Sequence, residues 1–363
     1  MKETTKNLQF AVCGQPTPEV PVLIEPQHTG KPWVYYGTDN KYPEYLWSLF
    51  TRSALLQSII SGTTDYVLGN DVIAINPTIN ADHINDDGET LEDIIKLITN
   101  DYLIFGGFSI QVIFNKLGKV SELYWLDFRN CRIDEDKQKV YYSEEWTKKS
   151  SPKYVEYDVL DTKKRKGTAV VYFRGHNCRS VYPLPRYSGA LNALETSTEI
   201  ARYHLNAIHN NFNGNLVINF NNGEPSDDVK KEIERKIKNK FAGAENGGAF
   251  LVSFNDSKDN GVTIERLQDD NTDKKYEQLR KDTYKEIFIA FRCQPQLFGF
   301  VIEGSLFNKE EYQQAFELYK KTVVKPIQQD IIRVFNKVYD TDKSINFQQF
   351  KLNDNDNESD VNQ

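Results

Sequence analysis

The chain has 363 residues, with 45 Lys and Arg against 52 Asp and Glu, a net charge of -7. At about 150 residues per domain this makes roughly two domains, and 39% hydrophobic with 12% aromatic residues is enough for a globular core. The acidic balance excludes sequence-independent gripping of duplex DNA as the main work, and the lack of any run of about 18 apolar residues excludes a membrane-spanning helix.

Met1 to Lys6 has no apolar stretch behind it, so no secretory signal is expected. Cys13, Cys131, Cys178 and Cys293 form no C-x-x-C pair. That argues against a zinc ribbon or a disulfide-stapled domain and for reduced thiols in a cytoplasmic compartment.

Residues 1–38 read as an extended arm, because Pro16, Pro18, Pro21, Pro26 and Pro32 fix φ and remove donors. A helix follows, with Asp39 and Asn40 as capping candidates and Pro43 in the first turn. Its apolar row is Leu46, Leu49, Phe50, Leu56, Ile59, Ile60 and Val67, with a break near Thr51–Ser53 and a stop at Gly69. Thr90 with Asp93 forms a capping-box-like start for a second helix carrying Leu91, Ile94, Ile95, Ile98 and Ile104.

Residues 108–182 read as β. The runs Phe108–Phe114, Val120–Phe128, Val140–Tyr142, Tyr154–Val159 and Ala169–Phe173 predict an antiparallel meander, with a basic tip at Lys163–Gly167. Without βαβαβ alternation, a doubly wound nucleotide fold is not expected.

From Ser188 a seam runs Leu191, Leu194, Thr198, Ala201, Leu205, Ile208, Phe212, alternating steps of three and four. This is a heptad seam, narrower than an ordinary globular helix face. A small module over about 215–268 alternates strand, helix and two strands. Its helix 227–240 sets Lys230, Lys231, Arg235, Lys236, Lys238 and Lys240 against Asp227, Asp228, Glu232 and Glu234. That face suits an acidic partner or DNA, or equally a solvated surface with i,i+4 pairs. A helix over about 272–292 carries Tyr276, Leu279, Thr283, Ile287, Ala290 and Phe291. A break at 293–308 precedes a long helix capped by Asn308 and kinked by Pro326. Leu352 to Gln363 reads as an acidic, Asn-rich disordered tail.

Catalytic constellations are missing. There is no P-loop, no G-x-G-x-x-G after a strand, no H-E-x-x-H and no G-x-S-x-G. His204 and His209 lie about 140° apart on a helix, so they share no face for a metal. The pairs Asp134/Asp136, Asp227/Asp228 and Asp269/Asp270 fit turn and helix caps better than cation ligands. The string Asp354 to Glu358 starts like a calcium loop but lacks its glycine and closing Glu.

The order of elements resembles the tailed-bacteriophage portal protein family over about residues 35–340. Pro185-Arg186-Tyr187-Ser188-Gly189 resembles the turn before that family's stem helix, and the run from His209 to Gly214 resembles the helix end. Ile287 to Phe291, then Pro295 and Leu297-Phe298-Gly299, resemble the signature I-x-x-A-F-x-V-P-x-x-L-G, with Cys293 and Gln294 departing from it. Phe316 to Pro326 resembles the kinked closing helix. Leu126-Asp127-Phe128-Arg129, Tyr35-Tyr36-Gly37 and Asn40-Lys41-Tyr42-Pro43 resemble parts of the wing and its entry.

The resemblance implies an α+β, portal-like fold: an antiparallel β-rich wing, long stem helices, a small αβ clip and a kinked C-terminal helix. The implied segments are an arm (1–38), wing (39–186), stem helix (187–213), clip (214–268), stem helix (269–293), tunnel loop (294–308), wing/crown helix (309–345) and acidic tail (346–363). The implied function is non-enzymatic and needs no cofactor or metal. The chain would be one of twelve copies in a ring at a capsid vertex of the virion, assembled in the host cytoplasm, through which double-stranded DNA passes. Implied partners are the large terminase subunit and later the head-tail adaptor at the clip, and the major capsid protein, with no membrane.

The implied DNA tunnel loop is Leu297, Phe298, Gly299, Phe300, Val301, Ile302, Glu303, Gly304 and Ser305. With one charge, it suits sliding DNA better than held DNA, which would want Lys or Arg at each phosphate. Two other readings stay open: an enzyme acting on nucleic acid or glycan through a spatially assembled carboxylate pair, and an adaptor that forms no ring.

Overall fold

The structure is a computed structural model that describes residues 20–26, 30–147, 152–175, 181–209, 215–220, 226, 228–229, 232, 250–254, 262–267, 272–300 and 308–350. Helix α1 (Tyr42–Arg52) has Pro43 in its first turn but takes no side-chain cap. Asn40 is not the cap the sequence suggests: its Oδ1 accepts from the Tyr36 N–H at 3.0 Å and from Arg132 Nε at 2.6 Å. The chain breaks where expected, as Ser53 ends α1 and caps α2 (Ala54–Leu68) by accepting from the Leu56 N–H. After β1 (Asp71–Ala74), the Thr90–Asp93 capping box is complete and opens α3 (Leu91–Phe105).

The β region divides into two three-stranded antiparallel sheets rather than one meander. Strands β2 (Gly107–Phe114), β3 (Val120–Leu126) and β7 (Gly167–Arg174) are ordered β3-β2-β7. Strands β4 (Cys131–Ile133), β5 (Lys139–Tyr142) and β6 (Val155–Asp158) are ordered β4-β5-β6. The cause is visible in β2. Phe108, Ile110, Val112 and Phe114 are buried on one face, and Gly107 and Ser109 are covered on the other. A strand buried on both faces takes the centre of a sheet, so β7 returns to its free edge.

Further along run α4 (Leu191–His209), β8 (Asn215–Phe220), β9 (Phe250–Phe254), β10 (Val262–Leu267), α5 (Thr272–Phe291), α6 (Lys309–Tyr319) and α7 (Lys325–Tyr339). Strand β11 (Ile345–Gln348) pairs antiparallel with β1, setting Val72 opposite Phe347. The tail read from 346 therefore begins within a strand, because Ile345 and Phe347 are buried. Residues 351–363 lie outside the described residues.

Pro326 was expected to kink the last helix. It has no N–H and its ring crowds the carbonyl four residues back. The chain answers with a π-turn over Lys320–Val324, in which the Lys325 N–H reaches Lys320 O. The helix thus continues, and its inward row of Ile327, Ile331, Phe335 and Val338 is buried. One core joins this row to Leu46, Ile59, Ile94, Ile98, Phe108 and Ile110.

Two ionisable side chains, Arg132 and Asp101, are buried in the core. Arg132 is fully buried. It donates to Asn40 Oδ1, Asn40 O, Arg129 O and Cys131 O at 2.6–2.8 Å. Its guanidinium also sits over the Trp146 ring at 4.9 Å. Asp101 Oδ2 accepts from Trp125 Nε1 at 2.8 Å and from the Phe128 N–H at 3.1 Å. Burial pushes the Asp101 carboxyl well above the carboxylate range, and nearby Asp127 adds to the rise.

Because the folded pKa of Asp101 lies above its unfolded value of ~3.9, the ionised form is the costly one. The contribution of this carboxyl is complete below the unfolded pKa and is lost as pH rises through the folded pKa. Asp101→Asn should therefore gain stability relative to the parent chain as pH rises, which paired urea titrations across pH would read. A stability difference that does not change with pH would refute it.

Candidate functional site

A 3-10 turn over Arg186–Ala190 leads into α4, and α5 returns antiparallel to it. The two helices are fixed to each other at both ends by stacked rings. Near the root, Tyr187 lies on Phe291 at 5.3 Å and 22°. Toward the far end, Tyr203 lies on Tyr276 at 4.5 Å and 26°. The Tyr187 hydroxyl donates to Ile104 O at 2.7 Å, which ties the root to α3.

Between the helices Leu191, Leu194 and Thr198 bury against the side of α5 that carries Thr283, Ile287, Phe288 and Phe291. The two threonines are satisfied within their own helices: Thr198 donates to Glu195 O and Thr283 to Leu279 O. This is the usual way a buried helical hydroxyl is paired.

The sequence seam is covered within the chain only as far as Thr198. Burial then shifts to Ile200, while Ala201 and Leu205 are exposed. The Ile208 side chain and Phe212 lie outside the described residues. Among the described residues, the elements that pack on the hairpin besides its own two helices, α1 and the Arg186–Ala190 turn, meet it at the root. Leu279, placed on the inward stripe of α5 by its spacing, is 44% exposed, and Ile289 is 74% exposed. Ile289 fits no inward stripe of α5. An apolar residue off the stripe is the signal the sequence offered for this outer face.

At the far end β8 pairs antiparallel with β10 and parallel with β9, in the order β10-β8-β9. The basic positions Lys230, Lys231, Arg235, Lys236, Lys238 and Lys240 lie outside the described residues.

The segment after α5 differs from its sequence reading. Leu297 and Phe298 were placed in a DNA-facing loop, but both point inward. A 3-10 turn over Pro295–Phe298 buries Leu297, whose carbonyl accepts from the Tyr66 hydroxyl at 2.8 Å. The Phe298 ring meets Tyr66 edge-on at 6.0 Å and Tyr319 at 5.7 Å. It lies so close to α2 that a Cβ on Gly62 would stand 2.9 Å from its ring. These two side chains anchor the segment between α2 and α6, and the cause is burial of aromatic area that no local pattern reveals. Phe300, 37% exposed, leans on Tyr284 and Phe288. Val301, Ile302, Glu303, Gly304 and Ser305 lie outside the described residues. The chain re-enters at Asn308, which caps α6 by accepting from the Glu310 N–H at 3.0 Å.

Among the described residues no group of three or more His, Cys, Asp or Glu is placed to hold a metal. Asp134 accepts from the Gln138 and Lys139 N–H groups, as a turn residue does. Asp227, Asp269 and Asp270 lie outside the described residues. Cys131 and Cys293 are free thiols. Burial pushes the Cys293 thiol up to about 12, which keeps it protonated and unreactive. No helix among the described residues is long and apolar enough to cross a membrane.

A family model described as "Phage portal protein" matches residues 84–359. The chain is also similar in structure to the neck of a native gene transfer agent particle computed with C12 symmetry, at 12% identity and TM-score 0.57 over 84% of both chains. It is similar to a chain of the virion of a native gene transfer agent particle, at 13% identity and TM-score 0.56 over 85% of this chain and 84% of that one. A crystal structure of an HK97-family phage portal protein from Corynebacterium diphtheriae matches at 12% identity and TM-score 0.54, over 83% of this chain and 94% of that one. At such identities the likeness is one of fold. No curated protein matches the sequence.

Proposed function

The chain belongs to the phage portal protein family, and from that premise we propose that it is one subunit of a ring, of twelve copies, that forms the conduit for double-stranded DNA at one capsid vertex of the virion. Helices α4 and α5 are the stem. Residues 214–268 are the clip, where the terminase motor docks during packaging and the head-tail adaptor afterwards. Residues 39–186 form the wing, which meets the major capsid protein. No chemical step is assigned to the chain; the energy for packaging comes from a separate ATPase.

One observation carries the ring. The α4–α5 hairpin is covered at its root and leaves Tyr203, Leu205, Leu279 and Ile289 in water. Apolar side chains at about 25 cal/mol per Å² of exposed area are stabilised when a neighbouring copy covers them. The C12 symmetry with which the neck of the gene transfer agent particle was computed supports twelve copies.

The DNA-facing part of the tunnel loop is narrowed to residues beyond Phe298, since Leu297 and Phe298 serve as its anchor. Fixing the loop's root to α2 and α6 leaves its remaining length to meet the duplex. Its single charge, Glu303, gives no phosphate a cation to hold it.

Native mass measurement and negative-stain imaging test the ring. The parent chain should form rings with a central hole, and Ile289→Asp should leave the chain folded while ring particles fall at least about tenfold. The cause is an unpaired carboxylate buried at every contact, which is costly. Rings unchanged in Ile289→Asp would remove the hairpin from the interface. A parent chain that stays single at high concentration would end the ring reading.

A further inference from the structure

The connection between β6 and β7 holds the run Lys163-Lys164-Arg165-Lys166. Its four cations have different fates. Arg165 is tied down, with its side chain only 15% exposed. It donates to Gly118 O at 3.1 Å and to Val338 O in the last turn of α7, and its guanidinium lies over the Phe114 ring at 5.2 Å. A cation at a helix C-terminus is favoured by the exposed carbonyls there. The turn itself is set by Asp161, whose carboxylate accepts from the Lys163 N–H at 2.9 Å and whose carbonyl accepts from the Lys164 N–H at 2.9 Å.

The three lysines around this anchor are exposed, and so is Lys116 on the facing β2–β3 turn. None of the four has a carboxylate among the described residues within ion-pair distance. Together they line a groove of about 900 Å³, in which the only carboxylates among the described residues are Asp158 and Asp161, and Asp161 is occupied by the turn. Clustered like charges repel, and nothing in the fold needs these four ammonium groups. On a chain of net charge -7 they stand out as a local reversal of sign.

We propose that this groove docks the phosphate backbone of duplex DNA on the outside of the ring, away from the bore; this placement rests on the portal reading above. The chemistry favours phosphate over an acidic protein. Lysine is depleted at protein interfaces, whose centres are apolar and aromatic. Among the described residues the groove has no aromatic anchor, and its walls are mostly Lys, Asp, Thr and Gln. Lysine is a long, flexible point charge that meets phosphates without reading sequence. The fixed Arg165 holds the rigid root while the free lysines follow the backbone.

The test uses preformed rings and a covalently closed circular duplex, which cannot thread a closed bore. The parent ring should retain the circle at low salt. The K116A/K163A/K164A/K166A variant should lose about tenfold or more in apparent affinity, with a shallower salt dependence, since each neutralised phosphate adds about 0.9 to the slope. The corresponding four Lys→Arg changes should keep binding, and all variants should melt like the parent. Equal binding by the alanine variant overturns the proposal, as does a parent ring that ignores the circle. A parent ring that holds polyglutamate but not the duplex also overturns it, and assigns the groove to an acidic protein segment. If the parent chain forms no rings, the portal reading fails separately, and the same titration on the single chain still reads the groove.

Discussion

Replacing Arg132 by alanine should lower the unfolding free energy by about 3–5 kcal/mol, the range for uncompensating a buried charged network. The side chain is fully buried and donates to three backbone carbonyls, of Asn40, Arg129 and Cys131, and to the Asn40 side chain. Its removal orphans those acceptors, each worth about 1–3 kcal/mol if left dry, and opens a void beside Trp146. The sum of the separate losses would exceed the expected value, because some carbonyls regain water through the void.

Arg132→Lys should recover less than half of the loss. An ammonium can satisfy one or two of the carbonyls but lacks the planar fork that spans Asn40 and Arg129. Arg132→Met, which keeps the volume, should remain close to alanine if unsatisfied carbonyls dominate. Denaturant titration of the three variants reads this order. A loss under about 1 kcal/mol for alanine would show that the guanidinium is not what joins the loop at Tyr36–Asn40 to β4.

Gly69→Ala is the second large effect, with an expected loss of about 3–5 kcal/mol. Two costs add. Gly69 has φ 70° and ψ -139°, a region that side chains avoid at about 1–3 kcal/mol. A Cβ there would also stand 2.1 Å from Gln348 O, a backbone atom fixed in β11. Relieving such overlap costs about 1–3 kcal/mol more. The neighbouring Asn70 N–H donates to the same Gln348 O at 2.8 Å, so moving β11 away breaks the strand pair. Hydrogen exchange should show the amides of Ile345–Gln348 losing protection first. Alanine with an unchanged melting temperature would contradict the geometry.

Gly69 was legible as the stop of α2, but neither its contact with β11 nor the partners of Arg132 were. The break near Thr51–Ser53 and the Thr90–Asp93 box were legible because such signals act on amides two or three residues away. Pro326 announced a disturbance for the same reason. The pairing of β1 with β11 was not legible: each strand has four residues, and they are more than 270 positions apart. Nor was the split of the β region, since alternation marks strands but not their partners. Arg132 falls between the β runs read from the sequence, in the three-residue strand β4, and only the Asn40 loop, about 90 residues earlier, shows why it is inside.

The candidate site was legible in a similar, partial way. Heptad spacing found the residues that meet at the root of the α4–α5 hairpin but could not say where the covering neighbours stop. Leu297 and Phe298 read as a free apolar loop because their partners Tyr66 and Tyr319 come from other helices. The basic tip at Lys163–Gly167 was visible as a charge run. Only its attachment through Arg165 to the end of α7 made it a fixed groove.

The π-turn ahead of Pro326 has a consequence for insertions and deletions. A helix advances about 100° per residue, and the π-turn holds one residue more than the α-helical count. Trimming that residue would restore an ordinary ladder but swing Ile327, Ile331, Phe335 and Val338 about a quarter-turn away from the core they help fill. Adding one would do the same in the other direction. The stretch between Asn308 and Asp340 is therefore a fixed-length part, in which composition can drift but the count of residues cannot.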